Sequence, residues 1–392
     1  MKGKIIAALS IVLFMVMMAA GVKVYAESGK TVRVSTEKQL KKAMKNADVG
    51  TIIFRTEAYI NVTIKSVKGS DEKFLIIDAP NASFNNKAVF AEINIMSAQS
   101  YTESVSGNRI SITGQMRGLY DYIPGLTYDK SFDFTVAKKK QVERLTIYND
   151  YFTDPLFTLR KGAKVKNLTL VYYDGNPPVE STYDSAKRQV YLEYTDIYWV
   201  NESLKVKLDK SGRITKIKCT ASNPKFEYEY TFTYDSNGNV IKMTGEDTET
   251  RNFEFDYTYS SDGLIIKSER SGSYSEVWNY LYNDKGLLDE CFDGDGSSLE
   301  ATSVYSYEYD KKGRITSNKH NDSKYESYTD IKYTYNSKGF RTKQEYKNSS
   351  NVEYTDVYDY NKAGDLIKFT ITSDGESSTN KYKYDELGNP IS

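Results

Sequence analysis

The sequence predicts an all-β protein in two halves: a parallel β-helix-like solenoid with a capping helix, then an antiparallel meander of about eight β-hairpin repeats. Three observations predict it. A glycine turn returns eight times after residue 204, at spacings of 23 to 27 residues. One amphipathic helical stretch near the N-terminus is followed by short apolar alternations separated by polar turns. Finally, 25 of the 35 tyrosines lie after Pro178, which suits strands with a half-wet face where a ring packs and its hydroxyl reaches water.

Taken in order, residues 1–26 read as a secretory leader. Lys2 and Lys4 precede the apolar run Ile5 to Val22, and "VYA" places small residues before a cut after Ala26. No cysteine follows the run for a lipid, and no second apolar run appears. The expectation is a chain exported to the cell surface or medium. About 366 residues (392 − 26) remain, enough for two domains. Lys+Arg 53 balance Asp+Glu 53, so no net field attracts nucleic acid or an anionic membrane. The abundance of Lys, Asn, Ile and Tyr matches AT-rich codons, as in a low-GC bacterium.

Residues 27–175 form the first domain. "TVRV" is a strand. Thr36 and Gln39 then have capping-box spacing, with Leu40, Ala43, Met44 and Ala47 on one helical face and Gly50 at the end. "TIIF", "FLIID", "FAEINI", "ISIT", "FDFTV", "RLTIY" and "VKNLTLVYY" follow at irregular intervals, as short strands stacked in successive coils. Residues 31–173 thereby resemble secreted right-handed parallel β-helix (pectin-lyase-like) proteins. Their phrase A-x-x-G-x-x-I-x-[LF] is here Ala47, Gly50, Ile53 and Phe54. "GNPP" at Gly175 to Pro178 is read as a linker, with 176–203 as linker and lead-in strand.

Residues 204–392 form the repeat domain. The structural turn glycines are Gly212, Gly238, Gly263, Gly286, Gly313, Gly339, Gly364 and Gly388. Three residues before each stands an Asp, Asn or Ser, the pattern of a type I turn closed by a left-handed glycine. The incoming strand carries Tyr-x-Tyr (Tyr257/Tyr259, Tyr280/Tyr282, Tyr307/Tyr309, Tyr333/Tyr335, Tyr358/Tyr360, Tyr382/Tyr384). Residues two apart share a face, so the rings form ladders across the sheet. The frame Y-x-Y-[DNS]-x-x-G resembles the YD-repeat (RHS-like) family. Only some units keep the literal Tyr-Asp pair.

Chemistry is sparse. The single histidine, His320, is read as a loop residue from which no Ser/His/Asp or metal set is built. "DGDGSSLE" alternates Asp293, Asp295 and Ser297, but Ser298 stands where a calcium loop needs glycine, and Glu300 comes early. Asp121, Asp129, Asp133, Asp150 and Asp154, with Arg144 and Arg160, are the carboxylates and cations a β-helix polysaccharide lyase or hydrolase would draw on, without a recognisable signature. Cys219 and Cys291 lie six strands apart, about 29 Å at roughly 4.8 Å per strand, too far for a disulfide. The binding candidates are Tyr280, Tyr282, Tyr307, Tyr309, Tyr333, Tyr335, Trp199 and Trp278, whose flat rings suit sugar CH faces. No metal and no cofactor are expected. The expected function is an exported, non-catalytic scaffold that binds a glycan or cell-envelope polymer through its repeat sheet. The alternatives are a β-helix polysaccharide enzyme anchored by the repeats, and a relative or fragment of a polymorphic-toxin RHS shell.

Overall fold

The computed structural model describes residues 29–114, 124, 133–149, 156–172, 179–184, 186–194, 200–223, 225–247, 252–273 and 275–391. The leader and Trp199 lie outside the described residues.

The helix spans Glu37–Lys45. Thr36 accepts from the Gln39 amide at 3.3 Å, and Gln39 Oε1 accepts from the Ser35 amide at 2.9 Å, so two of the helix-start donors are satisfied locally. Leu40, Ala43 and Met44 are buried. Ala47 is exposed, because the helix has already ended, and Gly50 belongs to the strand Val49–Arg55 rather than to a helix stop.

Strands then stack in parallel. Val49–Arg55 pairs with Phe74–Lys87, which pairs with Glu92–Glu103, followed by Arg109–Ile112, Arg144–Asn149 and Leu168–Tyr172. A second face runs through Ile60–Lys65, the later parts of the two long strands, Phe134–Val136 and Thr158–Leu159. The register puts like on like: Ile52, Leu75, Ile93, Ile110, Leu145 and Leu168 form one buried column. Each coil thus covers the apolar face that its neighbour cannot bury alone. The second face holds an exception. Asn86, Glu103 and Val136 stand in one column, so a carboxyl is buried inside the solenoid.

Among the described residues the meander has 17 antiparallel strands in strict sequence order. It begins at Thr182–Asp184 and Gln189–Tyr194, within the stretch read as linker, while Val179–Glu180 extends the solenoid sheet by pairing with Leu168–Tyr172. All eight turn glycines have φ between +72° and +99°. In the first turn the Gly212 amide donates to the Asp209 carbonyl, while Asp209 Oδ1 accepts from the Ser211 and Arg213 amides. In the first seven units the ladder shifts by one residue beside the turn, which is a bulge.

Except for Tyr382, which is exposed, the Tyr-x-Tyr rings face inward, and the residues between them (Thr233, Thr258, Leu281, Glu308, Thr334, Asp359 and Lys383) are exposed. The second tyrosine of a unit ties it to the preceding one. Tyr234 Oη donates to the Ile214 carbonyl at 2.6 Å, Tyr259 to Val240 at 2.7 Å, and Tyr335 to Ile315 and Tyr384 to Leu366 at 2.9 Å each. These hydroxyls therefore find backbone partners rather than bulk water.

The two halves share one apolar core, because the row of turns lies along the solenoid in reverse order. The Val165 amide donates to the Ser211 carbonyl at 3.0 Å, and Arg160 Nη1 donates to Asn239 Oδ1 at 2.6 Å. Farther on, the Tyr59 amide donates to the Gly339 carbonyl at 2.9 Å, Arg33 pairs with Asp365, and Arg55 reaches the Leu387 carbonyl at 3.2 Å. The first repeats meet the last coils and the last repeats meet the first. Buried Tyr280 adds a link through the centre, donating to the Pro124 carbonyl at 2.7 Å.

Candidate functional site

The expected binding tyrosines divide by position. Tyr280, Tyr307 and Trp278 are buried at 1, 3 and 6 % exposure, so no ligand lies on their faces in this conformation. Tyr282, Tyr309, Tyr333 and Tyr335 are half-buried. Burial depends on what lies across the inner face. The shared apolar core ends at Tyr307, and no hydrophobic side chain after Ile315 belongs to it among the described residues; buried Phe340 stacks on Tyr360 instead.

Beyond that point polar groups join rings and aliphatic side chains at the inward positions. Register aligns Tyr333, Gln344, Asp356 and Ile371 in one row, and Ile331, Tyr346, Tyr354 and Ser373 in the next. Tyr346 and Tyr354 stack with centroids 4.6 Å apart and planes 12° apart. Asn348 donates to the Tyr346 hydroxyl at 3.2 Å. Arg341 closes the row nearest the turns, donating to Gln344 Oε1 at 2.7 Å and to the Tyr59 hydroxyl of the solenoid. Its guanidinium lies over the Tyr59, Tyr333 and Tyr358 rings, 5.1 to 5.7 Å from their centroids, a cation–π arrangement that tolerates burial. Asp356 is 7 % exposed. Tyr358 donates to its Oδ2 at 3.3 Å, and its Oδ1 has no protein partner. Burial raises its pKa above the usual carboxylate value, opposed by the Tyr358 hydrogen bond and the Arg341 charge. Ring faces beside planar amide, carboxyl and guanidinium groups are the groups that recognise polyhydroxylated rings, by stacking and paired hydrogen bonds.

His320 is not a loop residue. It lies in the strand Ile315–Asp322, half-buried, with its ring stacked on Tyr305 at 4.0 Å and 12°. Its Nε2 is 2.9 Å from Ser303 Oγ on the neighbouring strand Ser303–Tyr309. The sequence reading missed this pair because the 17-residue separation is closed only by the register that sets Tyr305 opposite His320.

Of the lyase-type carboxylates, Asp121, Asp129, Asp150 and Asp154 lie outside the described residues. Asp133 accepts the Tyr101 amide through its carbonyl. Arg144 pairs with Glu92 and Arg160 with Asn239, so both cations serve structural contacts. Asp293 clasps its own loop, its Oδ1 accepting from the Thr302 and Ser303 amides at 2.8 Å each. Among the described residues no group of three His, Cys, Asp or Glu side chains is placed to hold a metal ion, and no helix is long and apolar enough to cross a membrane.

A family model described as Teneurin YD-shell matches residues 157–392. No curated protein matches the sequence significantly. Among solved structures, the chain is similar to "Crystal Structure of TcdB2-TccC3-Cdc42", at 15% identity and TM-score 0.37, covering 51% of this chain and 11% of that one. It is also similar to "Crystal Structure of TcdB2-TccC3-TEV", at 12% identity and TM-score 0.34, covering 54% and 14%. A porin-like protein from Bacteroides uniformis matches at 12% identity and TM-score 0.26, covering 52% of this chain and 91% of that one.

Proposed function

Since the chain belongs to the Teneurin YD-shell family, we propose that it is a non-catalytic repeat scaffold, acting outside the cytoplasm, that binds a glycan or cell-envelope polymer on the inner face of its last repeats. One observation carries this reading: after Ile315 no side chain joins the shared core, and the rows there present stacked rings beside Gln344 and Asp356. The leader-like residues 1–26 support export. A row of similar half-open units suits a repeating polymer, because each added contact is intramolecular once the first has formed.

A second reading draws on the same family membership. The chain is then a relative or fragment of a toxin-enclosing shell, and the polar inner face lines the enclosed space.

A glycan array probed with the full chain and with the double variant Tyr346→Ala/Tyr354→Ala separates the two. The first reading expects binding to a defined set of oligosaccharides, weakened at least tenfold in a double variant that keeps its thermal midpoint. Absence of binding, or binding untouched by the double variant, overturns it.

A further inference from the structure

We propose that Ser303, with His320 as its general base, accepts acyl groups from esters that lie against the exposed part of the Tyr305–His320 stack. The hydrogen bond of 2.9 Å between Ser303 Oγ and His320 Nε2 is the nucleophile–base contact that serine acylation requires. The parallel Tyr305 ring, 4.0 Å away, holds the imidazole in place. With its proton on Nδ1, the ring offers Nε2 as acceptor. In the step, Oγ bonds to the ester carbonyl carbon while its proton passes to Nε2. The leaving alkoxide departs with that proton as an alcohol. Water, deprotonated by the same Nε2, then releases the acyl group as a carboxylic acid.

The neighbouring amides set the pace. Thr302 N–H and Ser303 N–H converge on one oxygen, but that oxygen belongs to Asp293. With both donors taken, the developing oxyanion lacks the stabilisation that usually supplies a factor of about 10²–10³. The expected behaviour is therefore stoichiometric, slowly released modification rather than rapid turnover.

The groups facing His320 are Asp322 on its own strand, Ser303 and Tyr305 on one neighbour, and Thr329 on the other. Burial lowers the imidazole pKa below its ordinary value, with Asp322 opposing, so the base is neutral at pH 7.

The test treats the full chain with an alkyl fluorophosphonate, which forms an Oγ–P bond as fluoride leaves, and locates the adduct by mass spectrometry. One adduct per chain on Ser303 is expected. Its rate should be level at neutral pH and fall as acid protonates the histidine, a readout that needs no variant. His320→Phe keeps a ring against Tyr305 but removes the base, and should slow labelling at least tenfold, in line with general-base contributions of about 10²–10⁴. An unmodified Ser303, a rate indifferent to pH, or an unchanged rate in a folded His320→Phe chain overturns the proposal.

Discussion

Gly238 and Gly313 hold the same place in the repeat and meet different surroundings. Both have positive φ, +91° and +79°, a conformation that costs an L-residue about 1 kcal/mol. At Gly313 a methyl group would find Leu287 Cδ1 at 3.5 Å, which is ordinary contact. At Gly238 it would lie 1.8 Å from the Leu159 carbonyl oxygen, in the wall of the solenoid. Gly313→Ala should therefore lose about 1 kcal/mol in urea unfolding, from backbone strain alone. Gly238→Ala should lose clearly more, because two backbones must part. Equal losses would show that the turn row does not rest on the solenoid. The local half of this pattern was legible in the sequence: an Asp, Asn or Ser acceptor three residues before a glycine is chemistry within four residues. The contact with Leu159 was not, since nothing near Gly238 in the chain encodes it.

At the scale of the element, the solenoid column Asn86, Glu103, Val136 carries the least expected group. Glu103 Oε2 accepts from Asn86, Tyr101 and Asn108 at 3.0 to 3.1 Å, and Oε1 accepts from the Val105 amide at 3.0 Å. Desolvation nevertheless outweighs these bonds and raises its pKa from 4.5 to about 7. Between those values the folded chain holds a proton that the unfolded chain has released. Stability from this group is thus full below about pH 4.5 and falls as pH rises through about 7. The span corresponds to roughly 3 kcal/mol at 1.36 kcal/mol per unit. Urea unfolding from pH 4.5 to 8 should show that decline, and Glu103→Gln should flatten it; parallel profiles for the two proteins would refute the assignment. The meander teaches the complementary lesson. Period-two reading correctly put the Tyr-x-Tyr rings on one face, yet Tyr307 is buried while Tyr333 in the next unit is only half-buried. Alternation reports the face, whereas burial depends on what the other half of the molecule places across it. Cys219 and Cys291 obey the same geometry: one faces Leu204 and Tyr228, the other Tyr280 and Tyr305. Both are buried and neither is in a disulfide, and burial pushes the Cys291 thiol pKa up. A thiol reagent should find neither in the native chain and two equivalents after unfolding without reductant. A single equivalent, or none, would mean a bond the fold does not accommodate.

For the whole molecule, the decisive contacts join residues that no sequence pattern relates. Arg33 and Asp365 are 332 positions apart, have side chains 8 and 6 % exposed, and form a two-pronged pair. Removing one partner of a buried pair typically costs about 3–5 kcal/mol, because the other charge stays behind uncompensated. Arg33→Ala should leave the Asp365 carboxylate with the Asn361 side-chain amide, which donates to Oδ2 at 2.9 Å. The loss should be local. Hydrogen exchange is expected to quicken in the last two units, residues 353–391, where Asp365 and the Arg55 contact to Leu387 hold the turns to the first coils. Residues 214–247, held at the other end by Arg160 and Asn239, should keep their protection. The double variant Arg33→Ala/Asp365→Ala should recover part of the loss, since it removes the stranded charge as well. Uniform quickening across the meander would mean that the halves open as one unit, and no change at all would mean that the two ends of the chain are not clasped in solution.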